Sequence, residues 1–196
     1  MIGYHFSLLA LLLTACILQQ FSPAFAGMHE ARILVLPLVF LCCAVTISPV
    51  PMLALAFLGG FLWDAQHLLG PHGGDPGVYP DSKEGLRFGY SIVLYALMGF
   101  FMQGIQPLFR RGQWHVSALL SGVAIFLYLS AEYLLITFVR GGLVVTRGLV
   151  LKITFTSLLT MFLSPLVFWV LFRLAGLFNY TIEYEGLKTG RPRLVD

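Results

Sequence analysis

Charge is what this sequence has least of. Only 11% of its 196 residues are charged, 58% are hydrophobic, and the mean hydropathy is +0.86. A soluble domain carries about a quarter charged residues, and polar surface this sparse cannot cover an apolar globule. The composition therefore excludes a sizeable water-soluble domain and asks for a bilayer as solvent. The twelve Lys and Arg, set against nine Asp and Glu, give a formal charge of +3. They are scattered and mostly bracket apolar runs, so there is no basic patch for nucleic acid. The three cysteines, Cys16, Cys42 and Cys43, lie inside apolar runs without metal spacing, and neighbouring cysteines make a strained disulfide. A nucleophile elbow, a phosphate-binding glycine loop and an HExxH pair are all missing, as are internal repeats and low-complexity tracts. No catalytic centre and no cofactor motif is left to argue from.

What is present is a series of long uncharged runs. Phe88 to Phe109, between Arg87 and Arg110, is about 22 residues long, one bilayer crossing at roughly 1.5 Å per residue. The run between Lys152 and Arg173 is of similar length, and Trp114 to Val139 contains Glu132 as its only acid. Ile33 to Leu69 would make a helix of roughly 55 Å, too long for a core of ~30 Å. Ser48-Pro49-Val50-Pro51 interrupts it and predicts a tight helical hairpin.

Tyr4 to Phe21 is the sixth candidate. Ala24-Phe25-Ala26 resembles a signal-peptidase site and Leu13-Thr14-Ala15-Cys16 a lipobox, but no Lys or Arg precedes Arg32. A signal peptide needs a positive n-region, so a retained helix is expected. The fold expected is an all-α integral membrane protein of about six transmembrane helices in a compact bundle. The spans are placed at about 4–21, 33–48, 52–69, 88–109, 114–139 and 150–175, in one domain over 1–178 with a polar tail at 179–196. Arg110-Arg111 and the basic tail favour both termini on the cytoplasmic side.

Phe57, Gly60, Asp64 and His67 fall at helical spacing, which predicts one face packed against another helix: glycine permits close approach and lipid is a poor solvent for the acid. A bolder reading joins Asp64 and His67 to His72 and Asp75 as ligands for a divalent metal. Glu132 lies within its span, where an ionisable group is by default a pairing or functional candidate. Its candidate partners are Gln103 and Gln106, on a stripe with Ala96 and Gly99. A hydrogen bond that fixes the bundle, a substrate or ion contact, and proton handling are the roles open to it. Gln19 and Gln20 are expected near the headgroups, with Trp63, Tyr90, Trp114 and Trp169 as interfacial anchors.

Taken in order, these features resemble the MreD family of small membrane proteins in the bacterial rod-shape machinery. The resemblance runs over roughly residues 8 to 175. It rests on Leu18-Gln19-Gln20 and Pro23, Arg32 before an apolar hairpin, Gly60-x-x-x-Asp64, and Gly89 before a span with Tyr95 and Gly99. Leu108-Phe109-Arg110-Arg111 and a last apolar helix with a basic end complete it. Ala56 departs from it, standing where the family more often has glycine, and the loop Gly70 to Arg87 is longer and more polar than the family's link. The resemblance implies a non-enzymatic scaffold that binds MreC and, through it, MreB and the elongation glycosyltransferase and transpeptidase. It also implies a fold like that of the substrate-binding subunits of vitamin transporters. A vitamin-like binding subunit of an energy-coupling transporter is therefore the alternative, with a membrane-embedded metal hydrolase third.

Overall fold

The computed structural model describes residues 2–29, 31–68, 88–106, 114–140 and 146–180. Helix α1 (Ile2–Gln20) leads into a short antiparallel hairpin of β1 (Ala24–Phe25) and β2 (Ala31–Arg32), joined through a 3-10 turn. Among the described residues five helices follow: α2 (Val35–Thr46), α3 (Pro49–Leu68), α4 (Tyr90–Gly104), α5 (Trp114–Arg140) and α6 (Arg147–Leu177). Three of the helices are long and apolar enough to cross a membrane, over Gly3–Gln20, Val116–Phe138 and Arg147–Leu177. Large apolar side chains such as Phe138, Phe162, Leu166 and Trp169 face outward, a surface suited to hydrocarbon rather than water.

Other expected spans differ in extent. The segment placed at 33–48 is helical only over α2, about 18 Å long and too short to traverse the hydrocarbon alone. Helix α4 is likewise shorter than 88–109. Helix α3 begins at Pro49 rather than Met52. Both prolines occupy its first turn, where a missing N–H breaks no helical bond. The expected loop at 70–87, and the tail beyond Tyr180, lie outside the described residues. At the other end of the chain, Tyr4 stacks on Tyr180 with ring centroids 4.2 Å apart, so residues 4 and 180 share one end of the bundle.

Helix α2 is the centre of the packing. Every residue from Leu36 to Thr46 is buried, so both helix ends fall inside protein, where orphan backbone groups need partners. Neighbouring helices supply them. The Gln19 side chain accepts from the Val35 and Leu36 N–H groups at 2.6 and 3.3 Å and donates to the Ile33 carbonyl at 3.2 Å. On α6, the Thr160 hydroxyl accepts from the Leu34 N–H at 3.1 Å. At the far end, Gln103 and Gln106 donate to the carbonyls of Ile47 and Val45 at 3.3 and 2.7 Å. Gln19 is thus a cap for α2 and not a headgroup contact.

Replacing either glutamine by leucine strands a buried backbone group, at a cost of about 1–3 kcal/mol. Gln19→Leu and Gln106→Leu are expected to lower the melting temperature in mild detergent, while Gln20→Leu, at an exposed position, leaves it unchanged. Equal melting of all three would remove the capping role.

Candidate functional site

Two helices meet most closely at α3 and α4. A Cβ built on Gly60 would lie 2.5 Å from the Ile92 Cα, 2.6 Å from its nitrogen and 2.8 Å from the Ser91 carbonyl carbon. Only a glycine admits backbone that close. One turn on, buried Asp64 accepts the Gly89 N–H on Oδ2 at 2.7 Å. Gly89 is the N-cap of α4 and holds φ at 101°, a conformation other residues reach only under strain. A carboxylate there also faces the positive end of the α4 dipole.

Phe57 lies within about 20° of Asp64 around α3 but two turns nearer the helix start, where it is 55% exposed and stacks on Phe61, so the packed stripe does not reach back to it. The His67 side chain, His72 and Asp75 fall outside what is described. Among the described residues no group of three or more His, Cys, Asp and Glu is placed to hold a metal ion.

Glu132 has a different neighbourhood from the one expected. Its Oε1 accepts the indole N–H of Trp63 at 3.3 Å, whereas Gln103 and Gln106 are turned to the end of α2. Position along the axis is the reason. Tyr128, one turn before Glu132 on α5, packs edge to face on Tyr95, and Gln103 sits about 12 Å further down α4 than Tyr95 at 1.5 Å per residue. Trp63 is correspondingly a buried partner and not an interfacial anchor. Trp169 is exposed, with the Arg173 guanidinium 5.7 Å from its ring centroid.

No family model matches the chain, nor does any curated protein or solved structure. The site's chemistry is therefore read from its geometry.

Around Glu132 the aromatic rings are packed edge to face. Tyr95 and Tyr128 centroids lie 5.6 Å apart at 88°, Trp63 and Tyr128 6.3 Å apart at 83°, and Phe40 tilts onto Tyr95 at 4.9 Å. Tyr95 and Tyr128 are buried, and neither hydroxyl has a hydrogen-bond partner among the described residues. Tyr128 stands four residues before Glu132 and so shares its face on α5. That spacing was a usable signal for this cluster, and the sequence reading passed over it.

Proposed function

We propose that this chain is a membrane scaffold subunit of the bacterial cell-elongation machinery. In this reading it lies in the inner membrane with both termini in the cytoplasm, and contributes to rod shape and peptidoglycan synthesis by binding partner proteins. The observation that carries the reading is the convergence of Gly60, Asp64 and Gly89 at the first turn of α4. These residues, distant in sequence, carry the resemblance to MreD, and they act as one physical unit that sets the α3–α4 geometry. A scaffold works by presenting fixed surfaces, and this unit fixes one. The partner expected at those surfaces is MreC, which links to MreB and to the glycosyltransferase and transpeptidase.

Affinity purification of the full chain from mild detergent tests this directly. MreC is expected in the eluate at comparable amounts. Recovery of a stoichiometric small molecule with no elongation protein would replace the scaffold by the vitamin-like binding subunit.

A further inference from the structure

The outward side of α6 changes character toward its C-terminal end. Phe162, Leu166, Trp169, Arg173 and Gly176 follow at spacings of three and four, so they share one side of the helix, and all five are exposed. Thr160, Ser164, Leu171 and Ala175, on the other side, are buried against the bundle. Arg173 thus puts a cation on an otherwise lipid-suited surface. Among the described residues no carboxylate pairs with its guanidinium, which lies 5.7 Å from the centroid of the Trp169 ring, itself 62% exposed. A charge facing hydrocarbon is costly, and a cation–π contact offsets only part of that cost. The group needs an anion or water.

Its level in the bilayer favours the anion. The apolar stretch Gly3–Gln20 of α1 is about 27 Å long, close to one hydrocarbon thickness. The start of α1 is level with the end of α6, because Tyr4 stacks on Tyr180 and the Tyr180 N–H donates to the Ala175 carbonyl at 2.9 Å. Arg173 lies about 6 Å before that end, within reach of the boundary where acyl chains give way to phosphates. There is also room beside it. A Cβ on Gly176, one turn further on, would meet nothing within 4 Å. The carbonyls of Leu174, Ala175 and Gly176 already accept from Phe178, Tyr180 and Asn179, so these three are not left bare toward an anion. A guanidinium presents a planar fork that matches phosphate, and the Trp169 ring limits the directions in which this one can turn.

We propose that Arg173, Trp169 and the open space at Gly176 bind the phosphate of one anionic phospholipid, whose acyl chains run along Leu166 and Phe162. This goes beyond the scaffold reading and needs only that α6 crosses the membrane.

Native mass spectrometry of the full chain, released from mild detergent holding equal amounts of phosphatidylglycerol and phosphatidylcholine with the same acyl chains, counts the lipid retained. One phosphatidylglycerol per chain is expected, with a preference of roughly five- to tenfold. Arg173→Gln abolishes the preference, and Arg173→Lys keeps part of it, having the charge without the fork. Trp169→Leu weakens it by roughly two- to fivefold. Arg147→Gln, exposed at the other end of the same helix, leaves it intact. Unchanged melting of the four variants checks that each is folded, and inorganic phosphate does not displace the lipid. The proposal is overturned by no preference in the unaltered protein, by full preference in Arg173→Gln, or by equal loss in Arg147→Gln, which means net charge only. Displacement by inorganic phosphate assigns the site to the free anion instead. Loss of MreC recovery in Arg173→Gln, without any lipid preference in the unaltered chain, gives this side of α6 to a protein partner. Absence of the preference with MreC still recovered leaves the scaffold standing.

Discussion

Gly60→Leu is expected to leave no correctly packed α3–α4 pair. Even a Cβ at this position would lie 2.5 to 2.8 Å from α4 backbone atoms, and backbone cannot swing aside as a side chain does. Overpacking costs about 1–3 kcal/mol where neighbours can yield, so here the cost reaches or passes the top of that range. The damage spreads, because separating the helices also pulls Gly89 from Asp64 and leaves a carboxylate and an N–H without each other. Gly59→Ala should be milder, since its Cβ would meet the Tyr95 ring at 2.9 Å, and a ring can tilt. Gly27→Ala, with nothing within 4 Å, should be silent. Monodispersity on size exclusion and melting in mild detergent rank the three. Gly60→Leu protein that elutes, melts and recovers its partners like the unaltered chain would dismiss this contact as the organising one.

The helical character of the chain and the break at Ser48–Pro51 could be read from residue types because each depends on near neighbours, and the helical spacing of Gly60 and Asp64 marked a face suited to close packing, though not which residues of α4 it meets. What could not be read depends on residues far apart. In a bilayer both the lipid face and the interior face of a helix are apolar, so composition does not separate buried α2 from exposed α6. Nor does an apolar run disclose that its helix stops after Thr46. That boundary is held by Gln103 and Gln106, dozens of residues downstream.

The same ignorance of axial level misplaced the partners of Glu132. A helical stripe says which side of α4 carries Gln103, but not that Gln103 lies beside the end of α2 while Tyr95 packs on Tyr128, one turn before Glu132. Trp63 was misread for a related reason. A tryptophan near the end of an apolar run commonly sits among headgroups, and only the position of α5 beside α3 shows its indole turned inward to an acid.

Glu132 yields the second large effect, and its variants separate the structural and cellular roles. Glu132→Leu removes the acceptor of the Trp63 indole from an apolar interior, at a cost of about 1–3 kcal/mol, and introduces a branched side chain among packed rings. Glu132→Gln keeps the shape and one acceptor oxygen, and loses only the charge. Gln is therefore expected to melt close to the unaltered protein in mild detergent and Leu well below it. In cells the scaffold reading expects Glu132→Gln to support normal rod shape, and Glu132→Leu to weaken it in proportion to its lost stability. Equal loss of shape in both variants, at unchanged protein levels, means that the charge itself is the working part, and would move the assignment from scaffold to transport or catalysis.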